Sequence, residues 1–460
     1  MPLVTILSLW LPNRRILSHT LQRKEARAQR RFWWTNPAGI HDCRRAQSLF
    51  QSYSSSMKSL ATPSFQSSAN PRLVSLDALR GFDMFWIAGG STVVTALNAV
   101  GENSVGSFLK QQLTHKAWSG FAFYDLIFPL FVFITGVSSV FSLRRIVETQ
   151  GRLQALKRVL WRGLFLFIIG LFYSGGFSAH WPNIRLLGVL QRIALSYTCG
   201  GIALIFLSSR ALCISLATLL LGYFALFETI PIRDITLERA VIEEQLAAKG
   251  LQDAHQLFDS GVPRVRGTYD PGHNLVNHFD FQWLPGKLYD RYFDPEGILS
   301  TIGGVATAIC GVLAGIWLRR LDVGEKEKVK GLLAAGAVAL AMGWLWHLRF
   351  PVIKKLWTSS FVLVAGGYST WLLAAFYYLV DVRKWQRWCQ PFVWVGMNSI
   401  AVYFAAQLIR FGVLAERFVI GAGNHASLGG LGTCLWAACT VLLLFGFAHF
   451  LYRNRIFLRL

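Results

Sequence analysis

His115-Lys-Ala-Trp118-Ser-Gly-Phe-Ala-Phe-Tyr-Asp125-Leu-Ile-Phe-Pro129-Leu-Phe-Val-Phe-Ile-Thr-Gly136 is the stretch on which the reading of this chain turns. From Phe121 to about residue 143 apolar side chains follow one another without the alternation of a strand. That is long enough to cross ~30 Å of hydrocarbon as a helix. An aspartate and a proline stand near the start of the run, and a histidine just ahead of it. Ionisable groups at the edge of a hydrocarbon layer are costly, and they usually mark a place where something is bound, moved or transformed.

The same pattern recurs along the chain, giving ten expected spans at about 79–100, 121–143, 159–177, 186–207, 211–230, 297–318, 331–347, 357–380, 391–409 and 429–451. With 53% hydrophobic residues, 15% charged residues and a mean hydropathy of +0.40, the composition agrees. The runs are continuous and lack the ten-residue alternation of an outer-membrane barrel. The expectation is an all-α polytopic membrane protein.

A formal charge of +22 over 460 residues would suit a nucleic-acid binder, but the basic residues are distributed by side. If the first span starts inside, the inner loops and tail carry Arg144, Arg145, Arg152, Lys157, Arg158, Arg162, Arg210, Arg319, Arg320, Lys326, Lys328, Lys330, Arg383, Lys384, Arg387, Arg453, Arg455 and Arg459. The outer short loops carry Lys110, Lys116, Arg185, Arg349, Lys354, Lys355, Arg410 and Arg417, 18 against 8. This bias predicts both termini in the cytoplasm. The membrane expected is a bacterial inner membrane, and nucleic acid is not an expected partner. The seven cysteines form no CxxC pair, and five lie within spans, so neither a disulfide framework nor a metal site is expected.

Residues 1–70 are Arg- and Ser-rich with few acids and read as a disordered extension; Met57 is an alternative start, and a transit peptide is the sharper reading. Residues 71–460 form the membrane domain. One loop, 231–296, is long and should lie outside the cytoplasm; its first part, Asp234–Gln256, has the composition of a surface helix. Its second part mixes turn formers and aromatics, as binding loops on rigid scaffolds often do.

Polar residues gather at a few places near the spans: Asp77, Arg80 and Asp83; His115 and Asp125; Gln191 and Arg192; Asp294 and Glu296; Asn398 and Ser399; His449. Inside a span, Gln, Arg or Asn facing lipid costs about 1–3 kcal/mol or more, so these should face the bundle. Each has a plainer explanation. Asp77 and Arg80 make an i,i+3 pair at a helix start. Gln191, Arg192, Asn398 and Ser399 can tie helices together. His273 and His278 lack the spacing of a metal site. His115 differs in standing at the outer rim beside Trp118 and near Asp125, and histidine is the commonest general base.

In order along the chain, Arg72-Leu-Val-Ser-Leu-Asp77-Ala-Leu-Arg80-Gly81-Phe-Asp83, His115-Lys-Ala-Trp118-Ser-Gly120, Asp125-Leu-Ile-Phe-Pro129, Gly188-Val-Leu-Gln191-Arg192, Asp294-Pro-Glu296-Gly297, Leu356-Trp357-Thr-Ser-Ser and Gly396-Met-Asn398-Ser399 resemble the heparan-α-glucosaminide N-acetyltransferase family and its bacterial relatives. The resemblance runs from about residue 70 to 409. It implies transfer of an acetyl group from cytosolic acetyl-CoA to the amine of a glucosamine-like sugar across the membrane, with His115 as the active histidine. Animal relatives carry an asparagine shortly ahead of that histidine; the nearest here is Asn103, which is left out of the candidate set.

The expected site therefore has His115 and Asp125 as catalytic groups, Gln191, Arg192, Asn398 and Ser399 on acetyl-CoA, and Trp118, Asp294 and Glu296 on the acceptor. His115 would act as base or as transient acetyl carrier. Expected partners are the lipid bilayer, an amino-sugar or glycan acceptor, and a second copy of the chain in a homodimer. The rival readings are O-acyl transfer to an envelope polysaccharide or lipid headgroup, and a multi-span transporter using Asp83, Asp125 and Arg192.

Overall fold

Every apolar run of the sequence becomes helix in the computed structural model, which describes residues 73–99, 104–175, 178–259, 261–419 and 429–457. The expected extension over 1–70, with Met57, and the asparagine at 103 lie outside the described residues. The helices in order are α1 Val74–Ala99, α2 Ser104–Gln112, α3 Phe123–Gln150, α4 Arg152–Tyr173, α5 Val189–Phe206 and α6 Ser209–Thr229. There follow α7 Arg239–Lys249, α8 Ala254–Asp259 and α9 Leu275–Trp283 within the long loop, then α10 Ser300–Arg319 and α11 Glu325–His347. α12, Ser359–Phe376, runs on as a π-helical turn over Tyr377–Val382, and α13 Gln390–Met397, α14 Ser399–Ile409, α15 Phe411–Val419 and α16 Gly429–Arg453 complete the chain.

Among the described residues seven helices are long and apolar enough to cross a membrane, or eight if one bent pair counts as a span. The protein is an all-α polytopic membrane protein, with fewer clear spans than the ten apolar runs suggest. α1 and α4 fall outside that set; α1 carries Asp77, Arg80 and Asp83, and α4 carries Arg152, Lys157, Arg158 and Arg162. The ninth run is the bent pair, α13 and α14 meeting at 84° at Asn398. The sequence alone suggests a single span over 391–409. α13 instead lies antiparallel to the start of α1, with Phe392 against Gly81 and Gly396 against Asp77. A Cβ on Gly81 would come within 1.7 Å of the Phe392 carbonyl oxygen. Only glycine permits so close a crossing, and it fixes where the chain must turn.

The core is built by α3 on α10, α11 on α12 and α4 on α5. Leu130, Phe133, Ile134 and Val137 of α3 are buried with Trp357, Phe361 and Val364 of the α12 region. α3 and α10 run parallel, Phe133 against Gly311 and Val137 against Gly315.

The long loop is folded. Ile232–Arg233 (β1) pairs antiparallel with Arg264–Val265 (β2), and Tyr269–Asp270 (β3) with His273–Asn274 (β4). Ile235, Leu237, Ile242, Leu257, Phe258, Phe281 and Tyr292 form a small core of its own. The surface helix expected over 234–256 appears as α7 and the start of α8. α9 begins on a side-chain cap, the Asn274 side chain accepting from the Asn277 N–H at 2.9 Å.

Candidate active site

α3 starts at Phe123, and Asp125 sits at the third position of its first turn, where a carboxylate suits the helix dipole and the free N–H groups. Its Oδ2 accepts from the Ala122 N–H at 3.1 Å and from the Lys116 N–H at 3.2 Å. Its Oδ1 lies 2.8 Å from His115 Nδ1. Asp125 is wholly buried while the His115 side chain is 50% exposed. A buried carboxylate that accepts from Nδ1–H fixes the tautomer and makes Nε2 the nitrogen that carries the ring's lone pair. The Tyr124 ring, its centroid 4.7 Å from the imidazole's, packs against it. This is the geometry of an oriented base on an accessible edge. Beside it an open depression of about 630 Å³ is bordered by His115, Lys116, Thr114, Gln111, Lys110 and Phe108.

The segment after His115 is held by the loop between α11 and α12. Gly120 N–H donates to the Val352 carbonyl at 2.9 Å, and Ser119 bridges Ile353. That pairing sets Lys354 over the dyad. Its Nζ is 2.9 Å from His115 Nδ1, 3.2 Å from Nε2 and 3.5 Å from Asp125 Oδ1. Burial pushes the Lys354 ammonium down from the usual lysine range, and Asp125 and Glu296 pull it back. Lys355 lies over the Trp118 face, 5.7 Å from the ring centroid. Trp118, expected on the acceptor, donates from Nε1 to the Tyr269 carbonyl at 2.8 Å and packs with Phe350 and Leu356, tying the long loop to the bundle.

A second charged cluster forms where the long loop returns to α10. Arg185 donates from Nε and NH2 to the two oxygens of Asp294 at 2.8 and 2.6 Å, and to Glu296 Oε2 at 2.7 Å. Asp294 also accepts from the N–H groups of Tyr289 and Glu296 at 3.1 and 3.0 Å. Burial pushes the Glu296 carboxyl up, with Arg192 and Arg185 opposing and Asp294 adding to it. Asp280 of α9, fully buried, accepts from the Ile298 N–H at 3.0 Å, and burial raises its carboxyl to about 7. Asp294 and Glu296, expected to bind the acceptor, are thus largely engaged with arginine.

Arg192 is also buried. It donates to the Pro295 carbonyl at 2.8 Å and to Ser300 Oγ, and stacks on Trp357 with 4.8 Å to the centroid. In this arrangement it ties the first turn of α5 to the start of α10. Nε of Arg192 and Nε2 of Gln191 remain buried without a hydrogen-bond partner. Asn398, at the α13–α14 bend, has both side-chain polar atoms in the same condition, and Ser399 follows it, just buried. No group of three or more His, Cys, Asp or Glu placed to hold a metal ion occurs among the described residues.

The structure therefore joins His115 to Asp125, and Asp294 to Glu296, and adds two residues that the sequence reading left out. Arg185 and Lys354 were visible in it only as positive charges on the outer side, against the prevailing bias. A cation placed against the topology rule has a local reason to be there, and that was the available signal.

Residues 72–242 match the family model described as heparan-alpha-glucosaminide N-acetyltransferase, catalytic. The heparan-alpha-glucosaminide N-acetyltransferase of Mus musculus is 26% identical over 330 residues, covering 64% of this chain and 49% of that protein. The Homo sapiens protein of the same name is 25% identical over 380 residues, covering 75% of this chain and 55% of that protein. The chain thus spans about half the length of the curated relatives it matches. The matched segment contains His115, Asp125, Gln191 and Arg192. Over residues 72–242 the chain is thus similar to the catalytic part of the heparan-alpha-glucosaminide N-acetyltransferase family.

Proposed function

We propose that the chain is a membrane acyltransferase that moves an acetyl group from acetyl-CoA to the amine of an amino sugar of glucosamine type. The observation that carries this reading is the 2.8 Å contact between His115 Nδ1 and buried Asp125 Oδ1, with the imidazole half exposed. Asp125 holds the ring through Nδ1, so that Nε2 is the nitrogen left to act as the base. The acceptor amine attacks the thioester carbonyl, Nε2 takes the amine proton as the C–N bond forms, and the C–S bond breaks. The departing thiolate receives that proton, which returns the imidazole to its starting form.

The donor is lined by the buried polar atoms that lack partners, Gln191 Nε2, Arg192 Nε and the Asn398 amide. Arg192 stands in the first turn of α5, near the start of α10, and its NH2 is already engaged. That position suits contact with the thioester or pantetheine end of the donor rather than its phosphates, which would stay near the basic loops at the other ends of the helices. The acetyl-CoA side is taken as cytoplasmic, with both chain termini there and loop 231–296 outside. Labelling of Gln252→Cys by an impermeant thiol reagent in intact cells supports this orientation; labelling only after lysis reverses it.

The transporter reading calls for interrupted helices at matching places in two halves; one such interruption, at Asn398, is present among the described residues. Thioester consumption by the purified protein in detergent, against a panel of amino sugars and their hydroxyl-only analogues, tests the proposal. Turnover that requires the amine supports it. Turnover with the hydroxyl analogues alone makes it an O-acyltransferase, and no turnover with any acceptor removes the acyltransferase reading.

A further inference from the structure

Asp125 is fully buried and has two candidate counter-charges, His115 and Lys354, at 2.8 and 3.5 Å from the same oxygen. Nδ1 of His115 has one hydrogen or one lone pair, so it cannot both donate to Asp125 and accept from Lys354. With Nδ1–H given to Asp125, the lysine is left to neutralise the carboxylate, with its remaining ring contact at Nε2, 3.2 Å away. The lysine comes from a segment 239 residues along the chain and is held there by the Gly120–Val352 and Ser119–Ile353 pairing.

We propose that Lys354 is a positioning residue of the transfer site, the built-in counter-ion of Asp125 that keeps the neighbouring His115 imidazole neutral and therefore able to accept a proton. The inference deepens the acyltransferase reading and rests on it for its purpose, though not for its test. The logic is charge balance. An Asp⁻/Lys⁺ pair is neutral, so the imidazole beside it gains little by taking up a proton. With the lysine charge removed, Asp125 is left facing the imidazole alone, and a buried carboxylate at hydrogen-bond distance favours imidazolium. The other charged or titratable groups around the pair are Tyr124 on α3, Lys116 and Lys110 on the His115 side, and Lys355 and Glu296 beside Lys354. Of the carboxylates among these groups, Asp125 is the one in contact with the ring.

The test reads the neutral fraction of His115 directly. Diethyl pyrocarbonate acylates neutral imidazole, and peptide mass spectrometry of the full-length protein in detergent follows His115, with exposed His180 as internal reference. In Lys354→Met the pH of half-maximal His115 modification should move up by about one unit, since charges at this range interact by that order even when partly solvated. Lys354→Arg should stay near the wild-type value, and Lys354→Met combined with Asp125→Asn should return towards it. The acid limb of kcat/KM should move in the same direction in Lys354→Met and recover at higher pH. If Lys354→Met does not fold, Lys354→Gln takes its place. An unchanged modification profile in the neutral variant, with wild-type turnover intact, overturns the inference and makes Lys354 a strut. A shifted profile in a protein whose wild type transfers no acetyl group overturns the acyltransferase reading and leaves the counter-ion role standing.

Discussion

Two charged clusters sit at the same ends of the helices and are built for opposite purposes. Around Arg185, the guanidinium donates from Nε and NH2 inside the cluster, to Asp294 twice and to Glu296 once. Around His115, a buried carboxylate is satisfied from one side while half the imidazole remains open beside a depression. The first arrangement fastens the end of the long loop to the connection between α4 and α5. The second leaves half of an imidazole side chain exposed. Burial of charge is common to both. What separates structural from chemical use is whether a reactive atom is left accessible after the hydrogen bonds are counted.

The largest effect should come from breaking the first cluster. Arg185→Leu leaves Asp294 and Glu296 buried without their partner, and removing one side of a buried ion pair costs about 3–5 kcal/mol. Thermal unfolding in detergent should show a strongly lowered midpoint. A midpoint within a degree or two of wild type would deny the cluster its fastening role.

Asp280 sharpens the same contrast through pH. Its carboxyl is held up to about 7 from an ordinary value of 3.8, chiefly by burial and also by Asp294, against the Ile298 N–H that favours its ionised form. The folded state therefore holds a proton that the unfolded state has released between pH ~4 and ~7, so stability falls as pH rises through that window and levels off above it. The full effect is on the order of 4 kcal/mol. Asp280→Asn should flatten the decline of the melting midpoint over this range, and an undiminished slope would assign the titration elsewhere.

In the second cluster the expected losses fall on turnover. Asp125→Asn keeps the shape but removes the acceptor that fixes the tautomer, and a misplaced general base costs about 100-fold. The kcat should fall by that order with the melting point little changed; a loss of stability equal to the loss in rate would make Asp125 a helix-start residue. Smallest is Lys355→Ala. Its Nζ lies on the Trp118 face, a contact worth about 0.5–1 kcal/mol, so activity should stay within a few-fold of wild type. A loss matching that of the Lys354 variants would mean that the two lysines are not distinguished as the geometry distinguishes them.

The helices were legible because continuous apolar runs have one stable form in hydrocarbon. The dyad was legible because His115 and Asp125 are ten residues apart across a helix start. Lys354, 239 residues from His115, and Asp294, 109 from Arg185, were not, because those contacts depend on how the helices and loops dock. The sequence also marked Gly396 and Asn398 as unusual without giving the 84° bend, which follows from the close crossing of Gly396 with α1. Trp118 and Arg192 show the reverse case. Both read as candidate ligand contacts, and in the fold both hydrogen-bond across to backbone carbonyls of distant segments.

The most direct test of the account is the turnover of His115→Ala with acetyl-CoA and an amino-sugar acceptor, measured together with acetyl-CoA affinity and melting temperature. The account predicts a fall of about 100-fold or more in kcat with affinity and stability nearly unchanged. A variant that keeps more than about a tenth of wild-type turnover would contradict it, since the loss of a general base cannot be so mild.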